Sequence, residues 1–172
     1  MPRNKISKAG VLLAVSNIEK AKNFYETVLE QKIVADDGAY IVEFESGFGL
    51  QADYAGLVEG GKEPFSKYPT GAKLVMKTKS NNYQLAFEVE DLDYWVEKIK
   101  SANDVEILHD IAEYSWGQRV IRFYDYDGHI VELGEELKVV IKRFLAQGLT
   151  LEEIAERFGD SVEMVQQILD GE

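Results

Sequence analysis

The feature that most constrains the fold is an internal repeat of one strand, one capped helix and three strands. Residues 15–19 (VSNIE) match residues 89–93 (VEDLD) at an offset of 89 − 15 = 74. Residues 47–51 (GFGLQ) match residues 128–132 (GHIVE) at an offset of 128 − 47 = 81. The first pair joins an apolar strand to an N-capped amphipathic helix, and the second pair begins a strand after a glycine. Agreement at both ends indicates duplication of one supersecondary unit.

The two copies cover about residues 10–52 and 83–134. Each copy has the order βαβββ, which predicts an α+β fold of two modules, and two such sheets facing each other would enclose a cleft. The repeat also defines equivalent positions in the first and last strands of the modules. These four positions are Gly10, Gln51, Gln84 and Glu132.

Residues 116–134 are predicted to form a β-hairpin whose turn contains Asp127-Gly128. Side chains alternate along the returning strand, so Glu132 shares a face with Ile130 and opposes His129. A turn loop of even length would place Arg119, with Ile121 and Phe123, on the face of Glu132, and an odd loop would reverse this. An ordinary surface ion pair is the alternative explanation for these charges.

The connector between the modules, residues 53–79, is rich in glycine and carries five lysines against three acids. A solvated linker explains this composition. The alternative is a loop that lies over the cleft and attracts an anionic ligand.

Beyond Gly134 the pattern becomes helical, with helices predicted at 135–147, 151–158 and 161–169. The stretch from 148 to 169 resembles a helix-turn-helix, and Thr150 with Glu153 forms a capping box. Residues 135–172 carry nine acids against four basic residues, and no Lys or Arg follows Arg157. A helix that reads DNA needs phosphate and base-edge donors, so the tail is predicted to be a packing or dimer-forming extension.

The overall charge of this 172-residue chain also argues against a DNA-binding role. The net charge is −12 and the pI is near 4.7, which argues against a nucleic acid or an anionic membrane as the main partner.

The absence of cysteine excludes thiolate catalysis and sulfur-ligated zinc. The apolar run at 10–15 is too short for a signal-peptide core or a membrane span, so a cytoplasmic location is expected.

Three segments together resemble the vicinal oxygen chelate superfamily, which includes glyoxalase I, bleomycin-resistance proteins, fosfomycin-resistance enzymes and extradiol dioxygenases. They are NIEKAKNFYETVL at 17–29, LAFEVEDLDYWVEKI at 85–99 and, most specifically, WGQRVIRFYDYDGHIVELGE at 116–135. The resemblance implies a glyoxalase-like domain at 8–135 and leaves a helical C-terminal extension at 136–172. The extension is similar to one found in an uncharacterised bacterial glyoxalase-like branch.

In that superfamily two such modules form a curved mixed sheet around a cleft, so the resemblance implies the same arrangement here. A divalent metal in that cleft takes its ligands from the four positions that the repeat defines. The resemblance therefore implies Gln51, Gln84 and Glu132 as metal-ligand positions, with Gly10 in place of the first ligand. One carboxylate with two neutral amides is a poor set for zinc or iron, and magnesium would bind weakly. The expected cofactor is accordingly none or a weakly bound divalent metal.

Dioxygenase chemistry needs two histidines and a carboxylate on one face, and the chain has only His109 and His129. His129 lies on the strand face opposite Glu132, which argues against that chemistry. His109 is placed in a loop, residues 107–117, from which it can approach the cleft.

Two functions follow from the resemblance. The first is a binding protein of the bleomycin-resistance kind that holds a small molecule without a tightly bound metal. Residues expected to contact that ligand are Gln51, Gln84, Phe48, Tyr54, Trp116, Phe123 and His109, with Tyr40 and Phe44 as further aromatic candidates. Most of these aromatic residues fit equally well in a core.

The alternative is a metal-dependent glyoxalase-like lyase or isomerase acting on vicinal oxygens. There Glu132 would handle the proton, Arg119 would bind an oxyanion or carboxylate, and the two glutamines would bind hydroxyls. A homodimer is expected in either case, because symmetric association is common and the tail offers apolar helix faces.

Overall fold

The computed structural model describes residues 10–52 and 79–171, which form two compact units. Unit 1 comprises Met1–Lys79 with Tyr126–Gly128, and unit 2 comprises Ser80–Asp125 with His129–Glu172. The lysine-rich connector and Tyr54 lie outside the described residues, apart from Lys79. No helix in the described ranges has the length and apolar character needed to cross a membrane.

Unit 1 contains a four-stranded mixed sheet with one helix. Its elements are β1 (Val11–Ala14), α1 (Ile18–Asn23), a π-helical continuation (Phe24–Val28), β2 (Ile33–Asp36), β3 (Ile41–Phe44) and β4 (Phe48–Gln51). The strand order is β1-β4-β3-β2, with β1 parallel to β4 and the other pairs antiparallel. Asn17 caps α1 as predicted, because its side chain accepts a hydrogen bond from the Lys20 amide at 2.9 Å.

The core of unit 1 lies between its helix and one face of the sheet. Tyr25 is fully buried and contacts Phe44 and Phe48, whose rings stack at 4.6 Å. The π-helical turn that carries Tyr25 closes with a bond from the Leu29 amide to the Phe24 carbonyl. Predicted helix 18–30 is therefore one segment with two helical forms.

Unit 2 repeats this arrangement. Its elements are β5 (Ser80–Val89), α2 (Leu92–Ser101), β6 (Glu106–Glu113), β7 (Arg119–Tyr124) and β8 (His129–Glu135). The strand order β5-β8-β7-β6 matches that of unit 1 strand for strand, and the first and last strands are again parallel. The prediction of two βαβββ modules in an α+β fold is confirmed.

One prediction in this unit is wrong. Strand β6 continues to Glu113, so His109 is a strand residue and not a loop residue. The strand pairs with β7 through two register irregularities, on either side of His109. These irregularities break the period-two alternation by which a strand is recognised in the sequence.

The C-terminal extension is helical, as predicted, and belongs to unit 2. It contains α3 (Leu137–Ala146), α4 (Leu151–Phe158) and α5 (Val162–Asp170). The capping box of Thr150 and Glu153 forms with both of its hydrogen bonds, and Gly159 ends α4 in the left-handed conformation. The helices enclose a small core of their own, made of Val140, Ile141, Phe144, Ile154, Ala155 and Val165.

Candidate functional site

The length of the β7–β8 turn decides which side chains face Glu132. The Asp125 amide bonds the His129 carbonyl at 3.0 Å, which leaves the three-residue loop Tyr126–Gly128, with Gly128 at φ 85°. The loop is odd, so Arg122 is paired with Glu132 across the ladder. The even-loop alternative is wrong, and Arg119 lies on the opposite face of the sheet.

Glu132 is a nearly buried carboxylate with a residue exposure of 9%. It forms a salt bridge with Arg122 Nη2 and accepts a hydrogen bond from the Tyr114 hydroxyl at 2.9 Å. A carboxylate at this depth requires such partners, because burial of an unpaired charge is costly. The predicted alternation along β8 is confirmed, with Glu132 on one face and His129 on the other.

Arg122 connects the remaining polar residues of this face. Its Nε donates to Gln84 Oε1 at 3.1 Å, its Nη1 lies 3.4 Å from His109 Nε2, and its Nη2 also donates to the Tyr114 hydroxyl. His109 Nδ1 lies 2.7 Å from the Asp110 carbonyl, an acceptor, so Nδ1 carries the proton and Nε2 is the acceptor in the neutral ring. We call Gln84, His109, Tyr114, Arg122 and Glu132 the Arg122 cluster.

Tyr114 occupies the end of the β6–β7 hairpin. Its ring stacks on Trp116, with centroids 4.2 Å apart and an interplanar angle of 24°. Burial, followed by the hydrogen bond to the Glu132 carboxylate, raises the pKa of the Tyr114 hydroxyl, and Arg122 acts in the opposite direction. The hydroxyl is therefore held in its protonated, donating form.

Gln84 and Glu132, two of the four positions that the repeat defines, both contact Arg122, but the sequence did not identify Arg122 or Tyr114. The odd-loop alternative contained the signal for Arg122, since an arginine opposite a glutamate forms a favourable cross-strand pair. For Tyr114 there was no equivalent signal, because its position follows from the irregular pairing of β6 with β7.

Arg119 belongs to a second charged group on the other face of the sheet. Its Nε donates to Glu135 Oε1 at 2.8 Å, its amide donates to Glu135 Oε2 at 3.1 Å, and its guanidinium also bonds Asp93. The hydrogen bond to Glu135 is the main reason that the pKa of Arg119 is raised. Arg119 and Glu132 are not brought together.

Other predicted ligand contacts lie in different surroundings. Phe123 is fully buried in unit 2 and alternates with Arg122, so it does not share the cluster's face. His129 is buried on that opposite face, where its Nδ1 lies 2.9 Å from Asp125 Oδ2. Trp116 contacts the cluster through Tyr114, and its Nε1 donates to Gln118 at 3.1 Å.

Unit 1 has a cavity of about 390 Å³ beside β1 and β4. Glu43 is the charged residue of its lining, and Phe48 and Phe44 also border it although they are buried. Gln51 is half-buried, pairs with Ala14 across the ladder and is not a lining residue. The full lining is Gly10, Val11, Leu12, Val34, Glu43, Phe44, Gly47, Phe48 and Gly49.

Strand register gives a more direct comparison of the two modules at their first strands. Gln84 pairs with Ile130, whose equivalent at the offset of 81 is Gly49, because 130 − 81 = 49. Gly49 pairs with Leu12, two residues after Gly10. A shift of two residues preserves the strand face, and neither Leu12 nor Gly10 has a side chain that can bind a metal.

The donor set does not fit a zinc or iron centre. Glu132 is occupied by Arg122 and Tyr114, and the Nε2 of His109 faces the same guanidinium. Such centres need three or more histidine, cysteine or carboxylate ligands around one point. Within residues 10–52 and 79–171, no group of three or more such side chains has that arrangement.

Comparison with known proteins first concerns the tail. Residues 130–170, less than half of the chain, match the family model of sigma-70 region 4. The match spans most of β8 and the three tail helices, and it includes residues 148–169, where the sequence resembles a helix-turn-helix. Among curated proteins, none matches the sequence.

Several solved structures are similar in fold to this chain. A protein of unknown function from Agrobacterium tumefaciens str. C58 is 30% identical, with a TM-score of 0.58 over 77% of this chain and 95% of that one. A lactoylglutathione lyase from Agrobacterium tumefaciens is 18% identical, with a TM-score of 0.53 over 78% and 95%. The fosfomycin resistance protein FosX from Listeria monocytogenes is 20% identical, with a TM-score of 0.55 over 81% and 99%.

The last two similarities show a shared fold. The family model of the glyoxalase-like domain matches residues 9–138, which is most of the chain and includes both modules and the Arg122 cluster. The chain therefore belongs to the glyoxalase-like domain family of the vicinal oxygen chelate superfamily.

Proposed function

We propose that this protein binds a small molecule with an anionic oxygen at the Arg122 cluster, without a tightly held metal. The observation that carries the proposal is the position of Arg122 at the centre of one face of the unit 2 sheet. Its side chain is 27% exposed, so a ligand can reach it, while Glu132 beneath it is nearly buried. Guanidinium groups bind carboxylates and phosphates with strong, directional hydrogen bonds.

The cluster supports Arg122 before any ligand arrives. Gln84 accepts from Nε, and Glu132 and Tyr114 accept from Nη2, so the guanidinium plane is fixed. The long contact from Nη1 to His109 Nε2, at 3.4 Å, is the weakest of its interactions. An incoming oxyanion gains most by replacing that contact, because the stronger bonds then remain in place.

Exposed Gln84 and half-buried His109 flank the guanidinium and supply further polar contacts. Gln84 offers an amide that donates as well as accepts, which suits a hydroxyl or carbonyl next to the anionic group. The ligand class that fits best is a small carboxylate, phosphate or phosphonate with a neighbouring oxygen.

A metal-dependent lyase or isomerase is the second candidate, and the observation that favours it is the presence of Glu132 at a family ligand position. One structural relative is named a lactoylglutathione lyase and another a fosfomycin resistance protein. A divalent metal would act as a Lewis acid toward a substrate carbonyl or epoxide. Binding of that metal at Glu132 requires Arg122 to give up its salt bridge, which opposes this candidate.

Calorimetric titration of metal-free protein with inorganic phosphate, L-lactate and fosfomycin tests the proposal. Arg122→Met removes a charge-assisted hydrogen-bond donor, and we expect it to weaken binding by about ten- to a hundredfold. Lys142→Met, at an exposed lysine of α3, is the control and should leave the affinity unchanged. Equal affinities in the two variants would contradict the proposal.

Metal analysis of the purified protein separates the two candidates. A stoichiometric metal that is lost in Glu132→Gln, together with ligand binding that disappears on chelation, would favour the lyase or isomerase. The homodimer, the cytoplasmic location and the absence of a nucleic-acid partner stay predictions, and light scattering of the purified protein tests the first of them.

A further inference from the structure

We infer that helix α3 of the C-terminal extension positions the Arg122 cluster, and that it acts through the turn Tyr114–Gly117. This inference rests on the proposed function for its ligand, but its structural part can be measured separately. The tail then regulates the site, because a displacement of Arg143 or Phe144 on α3 alters the placement of Tyr114.

The first connection is a pair of hydrogen bonds from Arg143, which lies on α3. Its Nη2 donates to the Gly117 carbonyl at 2.6 Å and to Glu135 Oε2 at 2.9 Å. Glu135 is buried, with 2% exposure, and is the same carboxylate that Arg119 binds. Arg143 thus ties the turn to the last residue of β8 through charge-assisted bonds.

The second connection is the packing of Phe144 against Gly117. A Cβ atom built on Gly117 would lie 2.1 Å from Phe144 Cζ, far inside van der Waals contact. The ring therefore lies directly on the glycine backbone. Gly117 has a φ of 93°, which an L side chain rarely adopts, so the turn can form this contact only with glycine.

The turn transmits this placement to Tyr114 by short backbone bonds. The Gly117 amide donates to the Tyr114 carbonyl at 2.8 Å, and the Tyr114 amide donates to the Gln118 carbonyl at 2.9 Å. Trp116, inside the turn, stacks on the Tyr114 ring. The Tyr114 hydroxyl then reaches Glu132.

The side chain of Gln118 adds a further connection between the end of β8 and Trp116. Its Nε2 donates to the Glu135 carbonyl at 2.7 Å, and its Oε1 accepts from Trp116 Nε1. Every step from α3 to the cluster is thus a direct hydrogen bond or ring contact within unit 2. Coupling carried by such a contiguous network is testable by mutation at its far end.

The sequence has two tryptophans, Trp95 and Trp116. The experiment uses the full chain with Trp95→Phe, so that Trp116 is the one tryptophan that remains. Acrylamide quenching of Trp116 fluorescence reports the Tyr114–Trp116 stack without any ligand. Arg143→Met should increase the quenching and shift the emission to the red. Lys142→Met, at the neighbouring exposed position of α3, should change neither.

Ile154→Val controls for loss of tail stability, because it removes one buried methyl group from the tail core and does not touch the turn. Should Arg143→Met fail to fold, Arg143→Lys takes its place, since lysine keeps a cation beside Glu135 but cannot form both bonds with the same geometry. Quenching in the Arg143 variant equal to that of the Lys142 and Ile154 variants would overturn the inference.

Phosphate titration of the same proteins then measures the coupling to the site. We expect Arg143→Met to weaken phosphate binding by about three- to tenfold and the two controls to leave it unchanged. If the parent protein binds none of phosphate, L-lactate and fosfomycin, the proposed function fails, while the quenching result still decides the role of α3. Altered quenching with unaltered phosphate affinity would refute the regulatory part.

Discussion

Two glycines with nearly the same φ angle allow the contact between α3 and the turn to be measured. Gly117 has a φ of 93° and Gly148 a φ of 94°. A Cβ atom on Gly117 meets the Phe144 ring at 2.1 Å, whereas a Cβ atom on Gly148 meets nothing within 4 Å. Alanine at either position therefore lowers the unfolding free energy through the strain of a positive φ. At Gly117 alone it also lowers the unfolding free energy through a clash with Phe144.

The two terms can be given magnitudes. A left-handed conformation costs an L residue about 1–2 kcal/mol, which is the whole expected loss of unfolding free energy for Gly148→Ala. Overpacking of a tight contact adds about 1–3 kcal/mol, so Gly117→Ala should lose about 2–5 kcal/mol in total. The difference between the two variants isolates the clash with Phe144.

Urea denaturation followed by circular dichroism provides the measurement, with the denaturant slope checked for each variant. A third protein, Gly117→Ala with Phe144→Leu, removes the ring atoms that the new methyl group meets. Its loss of unfolding free energy should be smaller than the sum of the losses in the two single variants, since the two residues are in contact. Equal losses for Gly117→Ala and Gly148→Ala would refute the reasoning, because the steric term would then be absent.

Three further predictions address the charges and a buried hydroxyl. Glu132→Gln leaves Arg122 without its counter-charge and should tighten phosphate binding by about tenfold in calorimetry, whereas a metal-dependent site would lose its affinity. Glu135→Gln should lower the unfolding free energy by about 3 kcal/mol in urea melts, because a buried carboxylate shared by two arginines is lost. Tyr83→Phe should be neutral or stabilising, since the buried hydroxyl has no hydrogen-bond partner among residues 10–52 and 79–171. Burial, with the charge of Asp125, raises the pKa of Tyr83 to about 12, so the folded state keeps a proton that the unfolded state loses near pH 10. Stability should therefore fall as the pH rises from 10 to 12, and the phenylalanine variant should fall less.

The modules could be predicted because the information that specifies them is local. Helix caps at Asn17 and Asp91 form as their side chains indicate, and the strands that follow have clear apolar alternation. Duplication adds a second, independent copy of the same signal. The common strand order of the two sheets then follows from one folding unit used twice.

The site could be predicted only in part, because it depends on the parity of one turn. A single residue in the β7–β8 loop decides whether Arg119 or Arg122 faces Glu132, and Asp-Gly turns occur in loops of either length. Both arginines find carboxylates, one on each face of the sheet. Charge pairing alone therefore gave no means of choosing between them.

For the tail, the structure could be predicted from the sequence more readily than the function. Its helices and the capping box were predicted from local patterns, and the match to sigma-70 region 4 concerns the same residues. Exposed positions of α5 include Glu163, Met164 and Gln167, and the described part of that helix has no basic residue. A surface of that charge repels the phosphate backbone of DNA. Arg143, on α3, instead contacts Gly117 and Glu135, and these two hydrogen bonds are the reason that we assign the tail a supporting role at the Arg122 cluster.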